Sequence, residues 1–236
     1  TSKEIQEIAY ALGRLMRSTR LVSRGLGTIR QDVNISILDG KVVEVKGVQR
    51  LDLLEKIISF EAMRQKNLIH LKDELTNRGL TPIDFQHKPI DITSLFQKNT
   101  STILKKAFKK NMKIYAIKLK KFSGILSLEE FPGTRFGSEL ADVARFYGLG
   151  GLLHSDEIPG YGVTSIEVQK VRSKLHLDES DGFLLLSGEK GKLEKASEAV
   201  QKRVQSAFSG VPAETRGPTP DGKTRFIRPR PGSARM

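Results

Sequence analysis

Apolar residues recur every three or four positions near the start of the chain, at Ile5, Ile8, Ala9, Leu12, Leu15 and Met16. That spacing lines one face of an amphipathic helix over residues 2–17. Thr1 and Glu4 stand at the spacing of a capping box, and "SRGLG" (23–27) ends the helix. From residue 28 the period changes to two, and "TIRQDVNISILDGKVVEVKGVQR" (28–50) predicts a β-hairpin. Helical spacing returns at Leu54, Ile57, Ile58, Leu68, Leu71 and Leu75, so a second helix is expected from about Leu51 to Arg78, stopped by Gly79. The stretch 80–94, with two prolines, reads as a connector and a domain boundary.

Beyond it, helices and strands alternate. The pattern predicts a basic helix at 101–113, a strand at 113–120, a helix at 136–148 and a strand running into a loop at 151–162. A helix at 164–175, a buried strand at 181–188 and a helix at 192–210 follow. The order describes an α+β or α/β insertion of about 100 residues. The tail, 211–236, is rich in Pro, Gly and Arg, with Arg216, Lys223, Arg225, Arg228, Arg230 and Arg235. It is too short to pack alone, so it crosses the surface or returns to the first domain.

The hairpin carries the candidate chemistry. Arg30, Asp32, Asn34 and Ser36 share one face of the first strand, while Val33, Ile35 and Ile37 share the other. On the second strand Glu44 and Lys46 are polar, and Val43 and Val45 are apolar. A strict two-residue Asp39-Gly40 turn would set Ile35 opposite Glu44, a charge on the greasy face. A loop one residue longer sets Ser36 opposite Glu44 and Ile35 opposite Val45, so parity calls for a three-residue loop or a bulge near Gly40. A solvated face is the ordinary explanation of such a pattern. Against it, Asp and Asn are disfavoured within strands, which suggests that the oxygens of Asp32 and Asn34 are needed. Arg30 and Lys46 suit phosphate oxygens, Asp32 and Glu44 suit Mg²⁺ directly or through water, and Asn34 suits a phosphate or a ribose. There is no Gly-x-x-x-x-Gly-Lys phosphate loop.

Charge narrows the partners. The chain of 236 residues carries a net charge of +13 and a pI near 9.9, which points to a polyanion. It has no apolar run of membrane length, so RNA or DNA is expected, with no membrane. Absent cysteines remove disulfides, thiol nucleophiles and Cys-type zinc sites and suggest the cytosol. Lys105, Lys106, Lys109 and Lys110, with Lys120 and Lys121, are candidate RNA-phosphate contacts, or else a solvated helix face. His154, Asp156 and Glu157 in "HSDEIP" read as a metal or acid-base cluster or, preferably, as a loop that shapes its domain. The other histidines (His70, His87, His176) stand singly. The Thr1 start and the "SARM" end look like those of an excised fragment.

"IRQDVNIS" followed by "VEVKGVQRLDLLEKIISFEAMRQ" resembles the late cradle segment of the GatB/GatE family of tRNA-dependent amidotransferase subunits, at Arg30, Asp32, Asn34, Ser36, Glu44, Lys46, Arg64 and Gln65. Gly47 stands where the GatB branch usually has Asn, which fits the GatE branch. "YAIKLKKFSGIL" and "TRFGSELADVARFYGLGGLLHSDEIPGYGVT" resemble the insertion domain shared by the GatE branch and bacterial-type aspartyl-tRNA synthetases, the GAD domain. "VPAETRGPTPDGKTRFIRPRPGSARM" resembles the return to the cradle.

The resemblance implies an α+β fold: an antiparallel-sheet cradle with packing helices at 1–90, an inserted α+β domain at 91–210 and a return segment at 211–236. It implies phosphorylation of the glutamate side chain of Glu-tRNA(Gln) by ATP, with Mg²⁺, and attack by ammonia from the asparaginase-like amidotransferase component GatD in a hetero-oligomer. Arg30, Asp32, Asn34, Ser36, Glu44 and Lys46 would lie at the nucleotide, with Asp32 and Glu44 in the second shell of Mg²⁺. The family's main acidic residues lie upstream of the segment matching Thr1 and its tRNA-gripping domains beyond Met236. No catalytic residue is therefore assigned, and the segment alone is expected to be inactive. The alternative is a non-catalytic tRNA-binding module.

Overall fold

The computed structural model describes residues 1–23, 25, 27–86, 88–96 and 112–230. Two compact units emerge, Thr1–Ile69 with Val211–Met236, and His70–Gly210. The division falls inside one helix because that helix runs unbroken from Leu54 to Asn77.

In the first unit, helix α1 (Ser2–Ser18) starts with the expected Thr1/Glu4 capping box. Of its residues only Ala9 is buried, and Ile8, Leu12 and Leu15 are 58%, 49% and 64% exposed. Strand β1 (Gln31–Ile35) pairs antiparallel with β2 (Val43–Val48). The tail returns to this unit as two strands that the Pro/Gly-rich sequence did not suggest, β9 (Glu214–Pro218) and β10 (Thr224–Pro229). They complete a four-stranded sheet in the order β1-β2-β9-β10, with β9 parallel to β2. Ala9, Ile35, Val45, Val48, Leu54, Ile57 and Ile58 form the core between this sheet and the helices α1 and α2 (Leu54–Asn77).

The register of the hairpin differs from the sequence expectation. Asn34, not Ser36, lies opposite Glu44, Val33 opposite Val45 and Ile35 opposite Val43, with an irregularity between Gln31 and Val33. The cause is a side chain from α2. Gln65 donates to the Ile35 carbonyl (3.0 Å) and accepts from the Ile37 amide (3.2 Å), which draws the chain off the sheet after Ile35. Ile37–Gly40 then forms its own turn, with the Gly40 amide on the Ile37 carbonyl and Asp39 at φ 60°. A shift of two residues preserves parity, so the polar and apolar faces stay sorted. The turn requires Gly40, since a Cβ there would meet Gln65 Oε1 at 2.5 Å. Gly40→Ala is expected to destabilise the first unit by about 1–3 kcal/mol, read as a lower urea midpoint; an unchanged midpoint would mean that Gln65 does not clamp the turn.

The second unit is built on a four-stranded antiparallel sheet in the order β3-β4-β8-β7. Its strands are β3 (Ile90–Asp91), β4 (Lys113–Leu119), β7 (Leu152–His154) and β8 (Gly182–Gly188). A small hairpin, β5 (Glu129–Phe131) with β6 (Thr134–Arg135), precedes helix α3 (Phe136–Phe146). Helices α4 (Ser165–Leu175) and α5 (Lys190–Ala207) complete the unit. Every residue from Phe183 to Leu186 in β8 is buried, as its unbroken apolar run requires. Phe183 and Leu185 pack with Val171 and Leu175 of α4, while α5 packs on β8 and against α3. A buried Arg203–Glu139 ion pair joins α5 to α3. The fold is α+β with mainly antiparallel sheets. No described helix is long and apolar enough to cross a membrane.

Candidate functional site

Alternation along β1 and β2 leaves Asp32, Asn34, Glu44 and Lys46 on the face of the first sheet that looks away from the core. Lys46 sits between two carboxylates: its Nζ is 3.7 Å from Asp32 Oδ2 and 3.9 Å from Glu44 Oε1. Asp32 Oδ1 accepts from the Gly47 amide at 2.7 Å. Glu44 Oε2 accepts from the Thr215 hydroxyl at 2.9 Å, a bond that ties β9 into the face. Each carboxylate is thus fixed by a short bond of its own, and the lysine lies beyond hydrogen-bond length from both. Lys46 is 38% exposed and keeps its N–H donors for an incoming anion.

Residues paired across a sheet share a face. Thr215 lies beside Glu44, Arg228 opposite Thr215, and Arg225 opposite Gly217. Both arginines therefore belong to the same face, two strands from Lys46, or about 10 Å. The sequence marks them only as tail arginines, since their placement depends on the two strands that the tail adds. Arg30 and Ser36 lie just outside the two ends of β1, exposed, and the register takes Ser36 out of the sheet.

Behind this face lies a buried ionic cluster. Arg64, fully buried, donates to Glu61 Oε1 (3.0 Å) and Glu214 Oε1 (2.7 Å). Arg216, 2% exposed, donates to Glu214 (2.6 Å) and to the hydroxyl (2.7 Å) and carbonyl (2.9 Å) of Thr224. Its Nε is 3.7 Å from Glu61 Oε2. Two arginines against two glutamates leave no net charge, as burial demands. Glu214 and Arg216 alternate with Thr215 along β9, so the cluster sets the strand that carries Thr215 to Glu44. The sequence held a signal for it: Glu61, Arg64 and Gln65 fill the gap between Ile58 and Leu68 in the apolar stripe of α2.

Among the described residues no group of three or more His, Cys, Asp or Glu side chains could hold a metal. Two carboxylates sharing a lysine do not fit a Mg²⁺ site made by these side chains alone. They fit a held ammonium, and with Arg225 and Arg228 the face suits phosphate.

The remaining candidates lie in the second unit. Lys120 pairs with Asp84 at 3.5 Å, and Lys121 Nζ donates to the Arg78 carbonyl. Lys105, Lys106, Lys109 and Lys110 fall outside the described residues. In the "HSDEIP" loop, Asp156 accepts from the Ser127 amide and Glu157 from the His154 amide, which are loop-shaping bonds.

A family model described as the GatB/GatE catalytic domain matches residues 1–235. The chain belongs to this family. Its GatB/GatE relatives include proteins named as the E subunits of glutamyl-tRNA(Gln) amidotransferase in Sulfolobus acidocaldarius (49% identity, 100% of this chain and 38% of that protein) and Caldivirga maquilingensis (49%, 98% and 37%). A third, from Methanopyrus kandleri, is 44% identical over 100% of this chain and 37% of its own length. The chain spans less than two-fifths of these relatives. Within the GatB/GatE frame, Arg64 and Gln65 act from inside: one neutralises buried glutamates and the other fixes the end of β1.

Proposed function

We propose that this chain carries part of the ATP-using site of a glutamyl-tRNA(Gln) amidotransferase, a cytoplasmic enzyme that converts Glu-tRNA(Gln) to Gln-tRNA(Gln). In this reading residues 1–90 and 211–236 belong to the cradle, and 91–210 form the inserted, aspartyl-tRNA-synthetase-like domain. The observation that carries it is Lys46, held between Asp32 and Glu44 on an open sheet face, in a chain whose relatives bear that enzyme's name.

ATP supplies the γ-phosphoryl group that activates the glutamate side chain, and ammonia from an asparaginase-like partner, GatD, completes the amide. Phosphoryl transfer of this kind depends chiefly on positioning and charge neutralisation. Lys46 neutralises a phosphate oxygen, with Asp32 and Glu44 restraining its ammonium. Thr215 keeps Glu44 in place, Asn34 offers a neutral amide beside it, and Arg225 and Arg228 extend the cationic surface. Direct Mg²⁺ ligation is left to other groups.

The test is amide formation. The 236-residue chain, given ammonia, ATP and Glu-tRNA(Gln), is expected to make no Gln-tRNA(Gln), whereas the full-length protein with its ammonia-donating partner does. Product from the chain alone would contradict the partial-site reading. The +13 charge favours a second reading, a non-catalytic tRNA-binding module. Mg-ATP titration of the full-length protein separates the two: weaker binding with Asp32→Ala supports the nucleotide site, and unchanged binding favours the module.

A further inference from the structure

Strand β2 contains one residue more than its pairing with β1 needs. Gln31 pairs with Val48 and Val33 with Val45, so Asp32 alone faces two residues, Lys46 and Gly47. That is a β-bulge, with the extra residue on β2. Gly47 sits at φ 79°, a left-handed backbone that glycine adopts without steric strain. A Cβ built on Gly47 meets nothing within 4 Å, so the backbone angle, and not close packing, selects glycine here.

The core does not ask for this residue. Val43, Val45 and Val48 are buried, at 0%, 0% and 1% exposure, and Gln31 reaches inward to the Ala9 carbonyl at 3.0 Å. Without Gly47 the strand would read Val43-Glu44-Val45-Lys46-Val48, a strict alternation. Val45 would still meet Val33, Val48 would still meet Gln31, and every apolar side chain would keep its face. The reason for the bulge therefore lies on the open face.

There it changes one contact. In the plain register Lys46 would stand directly opposite Asp32, with Cβ atoms about 5 Å apart, and opposite charges so placed attract across the strands. The bulge offers Asp32 a second donor, the Gly47 amide, which Oδ1 accepts at 2.7 Å. A backbone N–H is already fixed by its strand, whereas a lysine loses rotamer freedom when it pairs, so the amide takes the carboxylate. Oδ2 is left 3.7 Å from Lys46 Nζ, and Glu44 Oε1 lies at 3.9 Å. The lysine is flanked by two carboxylates and closed onto neither.

We propose that Gly47 is a positioning residue for the nucleotide: its bulge draws the Asp32 carboxylate onto the backbone and leaves the Lys46 ammonium free for phosphate. The proposal rests on the reading that Lys46 meets the nucleotide, while its first readout needs no nucleotide.

The test is the rate at which an amine reagent labels Lys46 in the full-length protein, compared between the parent and a variant with Gly47 deleted. The deletion is expected to cause no fall in the urea midpoint. It is expected to slow Lys46 labelling about two- to fivefold, the worth of a cross-strand pair of opposite charges. Affinity for a non-hydrolysable ATP analogue is expected to fall by a similar factor. Adding Asp32→Ala to the deletion should restore the labelling rate, since the lysine then has no carboxylate directly opposite. Gly47→Asn, a side chain that tolerates the left-handed backbone, should label at the parent's rate. Unchanged labelling after the deletion, or slowing that Asp32→Ala does not relieve, would overturn the proposal. So would a deletion that unfolds the first unit, because the plain register would then not be open to the strand. Slowed labelling with unchanged analogue affinity would instead contradict the nucleotide reading of Lys46 on which the proposal rests.

Discussion

Arg64→Met is expected to lower the stability of the first unit by about 3–5 kcal/mol, measured as a fall in the urea midpoint. The loss comes from what the substitution leaves behind. Glu61 and Glu214, both buried, would keep their charges with Arg216 as the remaining arginine of the cluster. Buried ion pairs contribute little over apolar packing when the whole set is exchanged, but breaking one is expensive. The companion experiment replaces Glu61, Arg64, Glu214 and Arg216 together with apolar residues of similar size. It is expected to regain most of the lost stability while failing in function, because β9 would lose the charges that hold Thr215 against Glu44. A small loss from Arg64→Met alone would mean that the cluster is not the support described.

Lys46→Met has the opposite signature. Its partners are partly exposed, at 35% for Asp32 and 22% for Glu44, so stability is expected to change by about 1 kcal/mol or less. Amide formation by the full-length enzyme is expected to fall by about a hundredfold or more, the usual cost of removing one preorganised donor at a developing charge. Asp32→Asn should be milder, since an amide oxygen still accepts from Gly47 and Lys46 keeps its charge, losing only one of the two carboxylates beside it. If Lys46→Met cost stability and activity in proportion, the residue would be structural.

The two faces of the hairpin were legible in the sequence because alternation sorts side chains along each strand, and only registers of one parity keep Glu44 off the apolar face. The loop was not legible, because Gln65, from a helix more than twenty residues on, decides where β1 ends. The tail strands were hidden by Pro218, Pro229 and the glycines, which weaken any strand signal; β9 forms because β2 offers it an edge and Arg216 a buried partner. With the tail unread, Thr215, Arg225 and Arg228 had no face to belong to. The cluster around Arg64 was visible as polar residues in an apolar stripe, yet its glutamate partner Glu214 lies 150 residues away. In the second unit, β8 was plain from composition, whereas two- and three-residue strands such as β3, β5 and β6 carry too few positions for a period.

The central claim is that the open face of the first sheet meets the nucleotide, and Lys46 tests it most directly. Amine-reactive footprinting of the full-length protein, read by mass spectrometry with and without a non-hydrolysable ATP analogue, compares Lys46 (38% exposed) with Lys192 (55% exposed). The expected result is strong protection of Lys46 by the analogue and none of Lys192. Unchanged labelling of Lys46 at saturating nucleotide would contradict the claim.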